Sequence, residues 1–120
     1  MIKSLGHLLL AGMFITGGAK AFAEPGGRVK KVEAAGIPAP RQATILNGAI
    51  MTVAGGALAV GIAPKLAALA LVGTLVPTTF VGHAYWDEEE PGNRANQQTQ
   101  FIKNLAMLGG LLLVLAEKND

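Results

Sequence analysis

The chain has 120 residues, 51% of them hydrophobic and only 15% charged, with ten Lys and Arg against eight Asp and Glu, two His and no Cys. That length supports one compact domain, and so little charge leaves too little polar cover for a soluble core of this size. The lack of Cys excludes disulfides, thiolate metal sites, cysteine-ligated iron–sulfur clusters and a thiol nucleophile, and the basic residues sit beside apolar segments as helix-end anchors, which argues against a nucleic-acid surface.

An apolar run over about residues 4–23 comes first. Met1-Ile2-Lys3, this run and Ala21-Phe22-Ala23 also have the form of a secretory signal with an A-x-A cleavage site. Lys20 stands just before that site, where a charge is unfavourable, so retention as a first transmembrane helix is preferred. From Glu24 to Arg41 the chain is polar and punctuated. Pro25-Gly26-Gly27 is expected to end the first helix, Arg28 to Ala35 suits two turns of interfacial helix, Gly36 is its stop, and Pro38 and Pro40 forbid continuation.

Between Gln42 and Trp86 the one charged residue is Lys65. Two uncharged stretches result, each near the roughly 20 residues that cross a hydrocarbon core of about 30 Å. The second helix is expected over 41–62, with small residues at Gly48, Thr52 and Gly56, and again at Ala57 and Gly61, spaced for close approach of helix backbones in lipid. Gly61-Ile62-Ala63-Pro64 is just long enough for a tight hairpin. The third helix is expected over 65–86, bent at Pro77, with Thr74 or Thr78 hydrogen-bonding around the bend.

Tyr85-Trp86 is an interfacial aromatic pair, and Asp87 to Arg94 reads as an acidic, water-facing turn without the ligand spacing of a metal site. The fourth helix is expected over 95–116. Only Asn104 to Ala116 lies between charges, about 20 Å of helix, so part of 95–103 must enter the membrane. There Gln97, Gln100 and Asn104 fall at i, i+3 and i+7 beside Lys103, one polar stripe.

These elements predict an all-α membrane protein with a single domain over 1–120: an up-and-down four-transmembrane-helix bundle with a short interfacial helix between helices one and two. Such a path puts both termini and the Pro64 turn on side one, and the loops 24–41 and 87–94 on side two. Side one carries Lys3, Lys65 and Lys118, whereas side two has Lys20, Arg28, Lys30, Lys31, Arg41, Arg94 and Lys103. The positive-inside rule then assigns side two to the cytoplasm.

Depth sorts the polar residues. Lys20, Asn47, His83, Gln100, Lys103 and Asn104 all fall in the half nearest side two, where they can converge on one polar pocket. Polar groups within a membrane are costly unless paired or facing a wet cavity, so the cluster is a candidate binding site. The plainer reading makes Asn47 and Asn104 interhelical hydrogen-bond glue, with Lys20 and Lys103 snorkelling to headgroups. His7 and His83 fall at opposite faces and cannot share a haem iron or a zinc ion within one subunit, so no metal is expected. With no Ser/His/Asp set and no Gly-rich phosphate loop after a strand, no self-sufficient active site is visible.

Several stretches carry a family likeness. Val76-Pro77-Thr78-Thr79-Phe80-Val81-Gly82-His83-Ala84-Tyr85-Trp86, then Glu88 to Pro91, then Phe101-Ile102-Lys103-Asn104-Leu105-Ala106-Met107-Leu108-Gly109-Gly110 resemble the carboxyl half of DoxX-type bacterial membrane proteins. Gly17-Gly18-Ala19-Lys20, Gly36-Ile37-Pro38-Ala39-Pro40 and Gly55-Gly56-Ala57-Leu58-Ala59-Val60-Gly61 resemble, in order, the end of that family's first helix, the approach to its second and the Gly-rich second helix itself. Thr52 stands where many relatives carry an acidic residue, and His7 lies near where they carry an arginine. The resemblance implies a multi-pass protein of the bacterial inner membrane, linked to quinone-coupled sulfur-compound oxidation and to membrane-associated oxidoreductase assemblies. On that reading the chain is an accessory subunit with an oxidoreductase as partner and a quinone as ligand: His83, Lys103 and Asn104 exchange hydrogen bonds with the quinone, Asn47 shares the pocket and Lys20 lends electrostatic support. The competing reading is a non-enzymatic scaffold or small-solute carrier that associates with copies of itself through small-residue helix faces.

Overall fold

The computed structural model describes residues 1–24 and 26–118, and Pro25, expected to end the first helix, lies outside them. Five α-helices follow in order: α1 (Ile2–Ala23), α2 (Gly26–Ala34), α3 (Pro40–Val60), α4 (Pro64–Gly82) and α5 (Pro91–Ala116), with one 3₁₀ turn at Tyr85–Asp87. No strand occurs among the described residues. Four segments are long and apolar enough to cross a membrane: Ile2–Ala23, Pro40–Val60, Pro64–Asp87 and Pro91–Leu115. Large apolar side chains cover the outside of all four, among them Leu9, Val53, Leu66 and Leu113 at 70%, 73%, 68% and 72% exposure. A surface of that kind is stable against lipid tails and costly in water.

Backbone chemistry sets the punctuation. Gly36 has φ +80° and Gly61 φ +78°, the left-handed geometry that a Cβ disfavours. At Gly61 the Ile62 N–H donates to the Ala57 carbonyl and the Gly61 N–H to that of Leu58, so two otherwise orphaned acceptors at the end of α3 are satisfied. Pro40, Pro64 and Pro91 stand at the starts of α3, α4 and α5, where a missing N–H costs nothing.

Two boundaries differ from expectation. α5 begins at Pro91, not near residue 95, because Glu90 is extended and the following Pro is preorganised for a first turn. α4 ends at Gly82, four residues short of Trp86, and the Lys31 Nζ of α2 donates to the Gly82 carbonyl at 2.8 Å. A cation at a helix C-terminus is favoured by the dipole of the helix, and here it comes from a distant part of the chain. Pro77 lies inside α4; Thr74 and Thr78 donate to the Leu71 and Thr74 carbonyls beside it.

α1 packs most extensively on α3, α3 on α4 and α4 on α5, while α2 lies across α3 and α4. The α1–α3 crossing is a contact of backbone on backbone: a Cβ on Gly48 would lie 2.7 Å from the Gly18 carbonyl oxygen and 2.8 Å from the Phe22 nitrogen. Farther along, a Cβ on Gly55 would meet Ile15 Cγ1 at 3.0 Å and Phe14 Cβ at 3.3 Å. Gly56, expected on this same face, meets nothing within 4 Å. Residues seven apart fall about 20° from alignment on a helix and residues eight apart about 80°, so Gly55 faces α1 with Gly48 while Gly56 turns away. The buried core beneath is Ala11 and Phe14 of α1, Met51, Ala54 and Leu58 of α3, Ala68, Leu71 and Leu75 of α4, and Leu111 and Val114 of α5.

α1 and α5 scarcely touch. Their close contacts fall at side one, where Leu10 would lie 3.2 Å from a Cβ on Gly110 and His7 Nε2 pairs with both Glu117 carboxylate oxygens at 2.8 and 3.0 Å.

Candidate polar cavity on side two

A cavity of about 730 Å³ lies toward side two, walled by α1, α3, α4 and α5 and covered by α2. All six residues that depth gathers from the sequence line it: Lys20 of α1, Asn47 of α3, His83 at the end of α4, and Gln100, Lys103 and Asn104 of α5. Asn104, 4% exposed, donates from Nδ2 to Thr79 Oγ1 at 3.0 Å, and Thr79 donates in turn to the Leu75 carbonyl at 2.7 Å. Asn47 Nδ2 makes the parallel bond to Thr78 Oγ1 at 3.0 Å. Two adjacent threonines of α4 therefore tie α3 on one side and α5 on the other, each bond worth about 0.6 and at most about 1.7 kcal/mol in a membrane. The hydrogen-bond-glue reading thus holds for both asparagines, and both also face the cavity.

His83 Nδ1 bonds Gln97 Oε1 at 2.7 Å. An amide oxygen only accepts, so Nδ1 carries the proton and Nε2 is left with a lone pair. Lys103 Nζ donates to Gln100 Oε1 at 2.6 Å, one turn back along α5, and keeps two further protons for another acceptor. Lys20 is exposed at the rim. Among the described residues every buried side-chain polar atom has a hydrogen-bond partner.

The cavity also holds residues that were not nominated: Arg28 and Lys31 on α2, and Gln97 on α5. Arg28 and Lys31 are three apart and share a face of α2, a signal present in the sequence; only the docking of α2 over the bundle turns that face inward. The walls below are apolar, with Met13, Met51, Leu75 and Met107. His7 is placed at the opposite end: Gln97 and Glu117, the partners of His83 and His7, are separated on α5 by about 30 Å of helical rise.

Four apolar helices of spanning length, with lipid-compatible side chains on their outer faces, define a multi-pass membrane protein. The family model DoxX matches residues 3–84, and the chain belongs to the DoxX family. That match includes α1 to α4 and ends before α5, so the likeness of residues 101–110 rests on their motif alone. No curated protein and no solved structure matches the chain.

Proposed function

We propose that the side-two cavity binds the headgroup of a lipid-soluble ligand, a quinone in the reading that family membership favours, and that the protein is an accessory subunit serving a membrane oxidoreductase. The observation that carries this is the convergence of Lys20, Asn47, His83, Lys103 and Asn104 on one cavity of ligand size. The donor set fits the group: Lys103 and Asn104 have protons to offer a carbonyl oxygen, and the His83 Nε2 lone pair can accept from a hydroxyl. A quinone supplies the capacity to take up two electrons and two protons. This chain's residues hold and orient a headgroup and offer no redox group of their own.

Titration with decylubiquinone in a maltoside detergent tests the reading. At 100 times the dissociation constant a bound ligand stabilises the fold by about 2.7 kcal/mol, so the melting temperature of the parent rises by several degrees. In His83→Ala the rise shrinks at equal ligand concentration. An unchanged melting temperature in both proteins rejects the quinone as ligand.

The plasma membrane of a bacterium is the proposed location, with side two facing the cytoplasm. The support is the excess of Lys and Arg on side two. Because the chain has no Cys, single cysteines at Ile62 and Glu89 give labelling without background. A membrane-impermeant maleimide applied to intact cells is expected to modify Ile62→Cys and to spare Glu89→Cys until the membrane is opened. The reverse pattern inverts the orientation.

A further inference from the structure

The charges around the cavity are of one sign. Lys20, Arg28, Lys31 and Lys103 reach it from α1, α2 and α5, and no Asp or Glu is among the described residues that line it. Lys103 of α5 and Lys31 and Arg28 of α2 all bear electrostatically on the His83 ring, which gathers the cations of two helices around a third. The side chains of Lys20 and Arg28 have no hydrogen bond or ion pair to any described residue, and those of Lys31 and Lys103 bond to neutral oxygens, the Gly82 carbonyl and Gln100 Oε1. Lysines that merely follow the positive-inside rule extend outward to headgroups. Here Lys31 and Lys103 are half-buried, where like charges repel more strongly than in water, and Lys20 and Arg28 stand exposed at the rim. A neutral quinone carbonyl does not balance four cations; an anion does.

The rest of the cavity describes what the anion is attached to. Met13 lies seven residues from Lys20, about 10 Å deeper along α1, and Met51, Leu75 and Met107 join it in an apolar wall without hydrogen-bond donors of consequence. α1 and α5 both contribute to the cavity lining and scarcely touch each other, their close contacts His7–Glu117 and Leu10–Gly110 lying at side one. Their sparse seam beside this wall is the shortest route for a chain from the cavity to lipid.

We infer that the cavity binds an amphiphile with an anionic headgroup, a carboxylate or a phosphate monoester, held between Lys20, Arg28, Lys31 and Lys103, with its apolar chain lying along Met13 and Met107 and out through the α1–α5 seam. This rests on the cavity being a site for a lipid-soluble ligand and adds the sign of the headgroup.

The test uses the purified protein in a neutral maltoside detergent with dodecyl phosphate, dodecanol, inorganic phosphate and decylubiquinone as probes. Dodecyl phosphate is expected to bind saturably, about tenfold or more tighter than dodecanol, as one charge-assisted contact of about 1.5 kcal/mol requires, and about tenfold or more tighter than inorganic phosphate, which lacks the buried apolar chain. In the double variant Lys20→Gln/Arg28→Gln, at two exposed side chains without described partners, its affinity falls by a similar factor while the melting temperature of the free protein is kept. Lys103→Gln gives a second reading from the other wall. Equal binding of dodecanol, equal binding of inorganic phosphate, or undiminished affinity in both variants overturns the inference. Decylubiquinone binding without any preference for dodecyl phosphate over dodecanol also overturns it, and leaves the quinone reading standing. Preferential dodecyl phosphate binding that decylubiquinone does not compete with upholds the inference and removes the quinone.

Discussion

Gly48→Leu is expected to unfold the bundle or separate α1 from α3. At this crossing the two backbones touch, and even the first carbon of a side chain would sit 2.7 Å from the Gly18 carbonyl oxygen, 2.8 Å from Phe22 N and 2.9 Å from Ala21 Cβ. Two of those three atoms belong to backbone and cannot rotate away, so relief requires moving a helix. Overpacking by flexible neighbours costs about 1–3 kcal/mol, and a backbone obstacle lies at or beyond the upper end of that range. Helix association in lipid depends on close packing because the tails are as apolar as the side chains they replace, so the loss is not offset by apolar burial elsewhere. Gly56→Ala, one helical residue beyond the interface line and with nothing within 4 Å, is the matched control. It is expected to be neutral or to stabilise by a few tenths of a kcal/mol through reduced backbone freedom. Thermal unfolding in detergent measures both; a Gly48→Leu protein that melts with the parent would show that α1 and α3 do not cross there.

Phe14→Ala carries the second large effect. Phe14 is wholly buried and lies over Gly55 in the same interface. In a water-soluble protein such a truncation costs about 3–5 kcal/mol, part of it the lost transfer from water and part the cavity left behind. A membrane helix that comes away from its neighbour gives the ring to lipid tails, so the transfer part largely vanishes. What remains is the cavity part, about 24 cal/mol per Å³ over roughly 100 Å³, or about 2.4 kcal/mol. Unfolding by titration with a denaturing detergent is expected to show a loss near that lower figure. A cost of 5 kcal/mol would mean that water, not lipid, is the reference for this side chain.

The elements visible in the sequence are those set by local chemistry. A charge-free run of spanning length has to lie in lipid whatever it packs against, which is why the stretches on either side of Lys65 become α3 and α4. Gly36 and Gly61 stop helices because a left-handed residue is cheapest without a Cβ. The depth of Lys20, Asn47, His83, Lys103 and Asn104 follows from counting along up-and-down helices, and the tertiary structure brings those residues onto one cavity. The end of α4 was not legible in this way, because Lys31, 51 residues away, bonds the Gly82 carbonyl. Neither was the choice between Gly55 and Gly56, which depends on how α3 is rotated about its own axis against α1.

The sequence by itself determined the solvent of this protein, the number of its spans and the end of the bundle at which its polar groups gather, since each depends only on hydropathy and on distance along a helix. Tertiary structure alone decided that α2 folds inward over that end with Arg28 and Lys31, and that His7 and Glu117 pin α1 to α5 at the other. Those features join residues up to 110 positions apart. Side chains so far apart in sequence meet only through packing, which no local pattern encodes.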